Sequence, residues 1–268
     1  MHEIAYAKIN LALHVRRRRE DGYHELETLF AFMDDGDRLF ATPAERDSLT
    51  THGEFAAGID DPFDNIVAKA LAALPHGQGW TVQLEKRLPV AAGLGGGSAD
   101  AGAVFRMIER VHGLPEDWRQ RAARLGADVP ACVRSVSCIG TGTGTDLEGV
   151  ENDLTGMPVL LVNPRVPVPT GPVFKAWDGV DRGALPTGSI RQVASAWRND
   201  LEAPAIMLCP VIAEILSALR KTAPLLARMS GSGATCFALY ESEPAMLLAA
   251  EKLAENHPDW WRLTGKLR

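Results

Sequence analysis

No run of about 20 apolar residues occurs in this 268-residue sequence, and no secretory leader pattern opens it, so a membrane-spanning helix is not expected. Cysteine is scarce. Cys132, Cys138, Cys209 and Cys236 show no C-x-x-C spacing and no histidine partner pattern, which argues against a structural zinc. Four scattered thiols fit a reduced, cytoplasmic protein. A basic excess is also missing: 28 Lys and Arg face 34 Asp and Glu, for a formal charge of −6. Lacking a basic patch interleaved with aromatics, the chain reads as neither a nucleic-acid binder nor a membrane binder. Its one basic run, Arg16 to Arg19, reads as a solvated face. Three motif classes are absent too. There is no G-x-G-x-x-G after a strand, no Lys-Ser/Thr ending to a glycine loop, and no HRD or DFG element. These absences speak against a dinucleotide oxidoreductase, a P-loop NTPase and a protein kinase.

What is present is a glycine loop of a different kind. Residues 89–100 read PVAAGLGGGSAD and run into an amphipathic helix marked by Ala101, Val104, Phe105, Ile108 and Val111, stopped by Gly113 and Pro115. Glycine lets the backbone turn its N–H groups inward, and a helix N-terminus behind them adds positive partial charge. Ser98 is the expected N-cap. The same segment could be a plain structural turn, because glycine-rich loops are common.

The coarse pattern predicts a strand over 8–15 with alternating faces, an extended run over 26–32, helices over 65–74 and 118–125, and a strand over 80–84. Gly140 to Gly144 reads as a polar, flexible break, followed by a strand over 158–162 and a proline-rich connection over 164–172. Helices over 211–223 and 244–255 flank a strand over 234–240. With 46% hydrophobic and 23% charged residues, the chain can build a large α+β core, with a domain boundary placed near residue 155.

Four motifs occur in order: AKINL at 7–11, the glycine loop, GADVP at 126–130 and SGSGA at 230–234. Together they resemble the GHMP kinase superfamily over about residues 4–240. Asp21-Gly22-Tyr23-His24 and the KRLP before the loop resemble its branch that phosphorylates a cytidine-diphosphate-linked methylerythritol on the 2-hydroxyl, a step towards isoprenoid precursors. The resemblance implies a domain over 1–155 like ribosomal protein S5 domain 2, a ferredoxin-like domain over 156–268, and the use of ATP with Mg²⁺. The partner it implies is this small-molecule substrate.

The resemblance also assigns roles to residues. Asp128 becomes the catalytic base and Lys8 its electrostatic support; read alone, Asp128 is a helix cap and Lys8 a strand-edge lysine. Pro89, Val90, Ala91, Ala92, Gly93, Leu94, Gly95, Gly96, Gly97, Ser98 and Ala99 become the ATP phosphate loop. Asn65 and Lys86 are matched to the adenosine pocket, though each could equally be a cap or a surface charge. Tyr23 and His24 are expected to hold the cytosine. Phe174 is either a stacking partner there or a core aromatic. Asn10 and Thr170 are expected at the diphosphate or erythritol part, and SGSGA as a turn packed on the loop. Two departures stand out: Ala99 replaces a second serine common in relatives, and Thr145 stands where a glutamate is common.

Overall fold

The computed structural model describes residues 1–57, 59, 65–186 and 188–268. It forms two compact units, one of Met1–Lys8, Asp35–Val90 and Gly95–Val136, the other of Ile9–Asp34, Ala91–Leu94 and Ser137–Arg268. The units interleave along the chain. The long strands β1 (His2–Arg18) and β2 (His24–Ala44), which pair with each other, contribute residues to both. The expected in-and-out alternation of residues 8–15 does not hold. Every residue from Ala7 to Val15 is buried, because the strand is covered on both faces.

In the first unit, β3 (Ser48–His52), α1 (Ile66–Ala73) and β4 (Gly79–Glu85) precede α2 (Gly96–His112), α3 (Trp118–Leu125) and α4 (Val129–Arg134). Residues 38–44 of β2 pair antiparallel with β4, which takes β3 in parallel on its other edge. The helix α2 buries Ala101, Val104, Phe105 and Ile108, as its periodicity predicts, and Gly113 caps its end. Its start differs from expectation. Gly95, left-handed at φ +60°, is the N-cap, and Ser98 lies inside the first turn without capping. Only a residue without Cβ enters that conformation cheaply, so the helix begins where the glycines allow. Gly102 has a second purpose. A Cβ there would lie 2.5 Å from the carbonyl oxygen of Cys132, so glycine permits the close approach of α4 to α2.

The second unit carries β5 (Cys138–Gly142), β6 (Asp146–Gly149), β7 (Pro158–Asn163), α5 (Thr170–Lys175), α6 (Ile190–Val193), α7 (Glu202–Leu208), α8 (Val211–Arg220), β8 (Leu226–Met229), β9 (Cys236–Leu239), α9 (Glu243–Asn256) and β10 (Trp261–Lys266). The sheet order β10-β7-β9-β8 is antiparallel throughout, with α8 joining β7 to β8 and α9 joining β9 to β10. That is the ferredoxin-like arrangement. The polar GTGTG stretch is not a flexible break. It is the arm and turn of the β5–β6 hairpin, with Gly142 and Gly144 at positive φ and Thr145 in the turn. Ile212, Ile215, Leu216, Ala238 and Tyr240 belong to a buried interior that also takes in Trp177 and Trp260.

Candidate active site

Lys8 and Asp128 meet in the first unit, Nζ to Oδ2 at 2.9 Å. Asp128 occupies the N-cap position of α4, yet its side chain makes no capping hydrogen bond. The carboxylate turns instead to the lysine, with about a third of its surface in solvent while the ammonium is buried. Gly95 adjoins both: a Cβ there would lie 2.9 Å from Lys8 Cε and 3.7 Å from Asp128 Oδ2. The Ala99 N–H bonds the Gly95 carbonyl at 2.7 Å, which leaves the N–H groups of Gly96, Gly97 and Ser98 at the helix start without intrahelical acceptors. A carboxylate, a cation and a set of anion-seeking N–H groups thus share one corner of the unit.

Beneath that corner lies a buried ion cluster. The Lys86 ammonium, in a residue 3% exposed, is held by Asp37 and, at 2.8 Å, by Asp100. Burial opposes the lysine charge, but the two carboxylates outweigh it and hold its pKa above the usual value. Burial pushes the Asp100 carboxyl up to about 8, against the pull of Lys86 and with the repulsion of Asp37. Lys86 is therefore neither a surface charge nor a group open to a nucleotide. Asn65 is the N-cap of α1, its Oδ1 accepting the Val67 N–H at 2.9 Å.

In the second unit, the Ser230 hydroxyl donates to the Gly93 carbonyl at 2.7 Å and accepts the Asn10 N–H at 3.1 Å. The Thr235 N–H bonds the Ala92 carbonyl at 3.1 Å, so the SGSGA turn fastens residues 91–94. Asn10 is buried and its amide donates to Thr28 Oγ1 at 2.7 Å. Thr170 and Ser232 share a hydrogen bond at 3.0 Å. On the same short helix as Thr170, Phe174 packs against His24, ring centroids 5.0 Å apart and tilted by 37°, while Trp177 meets the same imidazole edge-on at 5.8 Å. Burial, with Arg18 behind it, lowers the His24 pKa, and its Nε2 is buried without a hydrogen-bond partner.

Comparison with known proteins fits this geometry. The family description "GHMP kinases N terminal domain" matches residues 65–135, and "GHMP kinases C terminal" matches 183–259. A 4-diphosphocytidyl-2-C-methyl-D-erythritol kinase of Novosphingobium aromaticivorans is 69% identical over 268 residues, covering 100% of this chain and 93% of that protein. One from Erythrobacter litoralis is 63% identical, covering 99% of each chain. The chain belongs to the 4-diphosphocytidyl-2-C-methyl-D-erythritol kinase family. A crystal structure of a 4-(cytidine 5'-diphospho)-2C-methyl-D-erythritol kinase superposes with a TM-score of 0.85 at 34% identity, covering 100% of this chain and 99% of that one. A homoserine kinase from Cytophaga hutchinsonii, at 16% identity and a TM-score of 0.71, shares the fold.

In this member of the kinase family, the structure brings together Lys8, Asp128 and Gly95, and separately His24 with Phe174. It does not bring Tyr23 to the Phe174 ring. Tyr23 stands 66% exposed, with its own N–H on the Asp21 carboxylate at 3.0 Å. Two residues of the His24 cluster escaped the sequence reading. Trp177 supplies the second ring, and Arg18 donates to the carbonyls of Lys175 and Trp177 at 2.9 and 2.8 Å. The basic run is not simply a solvated face, since Arg16 and Arg19 also pair with Glu27, Asp181, Asp21 and Glu25. A run of arginines beside an Asp-Gly turn was the available signal. Ala99 is buried, so a serine hydroxyl at this position would face the interior of the kinase.

Proposed function

We propose that this kinase transfers the γ-phosphoryl group of ATP to the 2-hydroxyl of 4-diphosphocytidyl-2-C-methyl-D-erythritol, with Asp128 and Lys8 as its catalytic residues. The observation that carries the reading is the 2.9 Å Lys8–Asp128 contact beside left-handed Gly95. Asp128 has about a third of its side chain in solvent and is free of capping duty, so it can accept the hydroxyl proton as the oxygen attacks phosphorus. The new O–P bond forms while the bond to the ADP oxygen breaks. Lys8 offsets charge building on the attacking and transferred groups. The N–H groups of Gly96, Gly97 and Ser98 hold the phosphates, with residues 89–99 as the loop. Mg²⁺ is typically held largely by substrate phosphates and water, which suits this site, since among the described residues no group of three or more His, Cys, Asp or Glu could hold a metal ion. When bound, it would neutralise phosphate charge. The domain division near residue 155 and a cytoplasmic location belong to the same reading. Incubation with ATP and the methylerythritol substrate, followed by phosphorus NMR of the product, tests it; no new phosphomonoester on the 2-carbon would refute it.

Within this reading His24 selects the base. A neutral imidazole offers one donor and one acceptor, and the buried, unpartnered Nε2 is a group that a cytosine edge satisfies and a uracil edge leaves mismatched. Phe174 adds stacking, on the order of 1–3 kcal/mol, without choosing between bases. Calorimetry should show wild type preferring cytidine diphosphate to uridine diphosphate. Phe174→Ala should weaken both alike by about tenfold, whereas His24→Ala should close the gap between them. Equal wild-type affinity for the two would remove cytosine recognition from this site.

A further inference from the structure

We infer that the buried Asp37–Lys86–Asp100 cluster is a positioning device that sets the shape of the phosphate loop, Lys86 acting on the nucleotide through the loop and without touching it. The cluster ties together three segments of the first unit. Asp37 comes from β2, Lys86 follows β4, and Asp100 lies in α2 just past its first turn. Its reach covers both ends of the loop. On the entry side, Asp37 Oδ1 accepts the N–H groups of Arg87 and Leu88 at 2.6 and 2.8 Å, which fixes the turn into Pro89. On the exit side, Lys86 Nζ lies 3.5 Å and Asp37 Oδ2 3.7 Å from where a Cβ of Gly96 would stand. The helix start that presents its N–H groups therefore rests on an ion cluster.

The composition of the cluster is hard to explain as stabilisation alone. Two carboxylates share one ammonium in a nearly dry site, and Asp100 Oδ1 has no hydrogen-bond partner. Buried ion pairs are often no more stabilising than apolar residues of the same volume. What they do impose is geometry, because each charge must stay within reach of its partner. A fixed first turn matters here, since an anion cradle contributes most when its donors need no rearrangement.

This inference rests on the assignment of the loop to ATP, and calorimetry with ATP and with cytidine diphosphate separates the two. Lys86→Met and Asp100→Ala are expected to weaken ATP binding at least about tenfold, with cytidine diphosphate affinity within about twofold of wild type. In turnover the KM for ATP should rise by a similar factor while kcat at saturating ATP changes less than about threefold. Asp100→Asn keeps an acceptor for Lys86 and should restore most of the affinity that Asp100→Ala loses. If Lys86→Met does not fold, Asp100→Ala and Asp100→Asn decide the matter. Folded variants that bind ATP like wild type would overturn the inference. So would equal losses for ATP and cytidine diphosphate that follow a fall in Tm, or failure of both Lys86→Met and Asp100→Ala to fold, since each makes the cluster a general determinant of the fold. Wild-type protein that does not bind ATP would overturn the loop assignment itself.

Discussion

Asp128→Asn and Lys8→Met are each expected to lower kcat by about 10²-fold or more, with the KM for ATP moving much less. A hundredfold corresponds to about 2.7 kcal/mol of transition-state stabilisation. Asparagine keeps the size of Asp128 but cannot accept the hydroxyl proton. The two changes should part company in stability. Asp128 makes no capping hydrogen bond to α4, so its helix loses nothing, but the buried Lys8 ammonium loses its partner at 2.9 Å. Loss of that ion pair by a buried ammonium should lower Tm in Asp128→Asn. In Lys8→Met a buried charge is replaced by an apolar chain of similar length, and the carboxylate left behind still reaches solvent. Its Tm should hold or rise while turnover collapses. The double variant should be no slower than the slower single one, because the two groups act as a unit. Wild-type turnover in either folded variant, or rates that follow Tm, would refute the assignment.

Legibility of the sequence followed the range of the interactions involved. Helices α1 to α3 and the strand β4 were visible because hydrophobic periodicity is local, and the glycine loop because its composition is. Asp128 was ambiguous for a physical reason: a residue before Val-Pro at a helix start looks the same whether it caps or reacts, and only the contact with Lys8, 120 positions earlier, decides. Lys86 was misread in the same way. Its partners come from β2 and from the next helix, so nothing in KRLP marks it as buried. Trp177 and Arg18 are joined across 159 residues, so the arginine run marks one end of the contact and nothing local points to the other. The hairpin at Gly140 to Gly144 was hidden by its own chemistry, since small polar residues read as a break even where strand pairing orders them.

Gly95→Val is expected to cost at least about 10²-fold in kcat/KM for ATP, the second large effect. Two separate physical causes act at this one position. The first is conformational: the residue holds φ +60°, a region that a β-branched side chain occupies only under strain of roughly 1–2 kcal/mol. Relief of that strain would unwind the start of α2, where Gly95 is the N-cap and its carbonyl accepts the Ala99 N–H. The second is steric. A Cβ would stand 2.9 Å from Lys8 Cε, and the lysine cannot swing aside without leaving Asp128. Valine should therefore harm both phosphate binding and the catalytic pair, raising the KM for ATP and lowering kcat together. Gly95→Ala carries the same φ penalty and the same first contact but no branch, so its loss should be smaller in both parameters. Gly97 supplies the control. A Cβ there meets only Ile66 Cγ2, at an ordinary 3.5 Å, so Gly97→Ala should keep turnover within about threefold of wild type if that residue's N–H is all the nucleotide needs. Tm should move little in any of the three, because a loop and one helix turn carry few of the core contacts. ATP affinity and kcat equal to wild type in folded Gly95→Val would show that the loop neither cradles phosphate nor sets the position of Lys8.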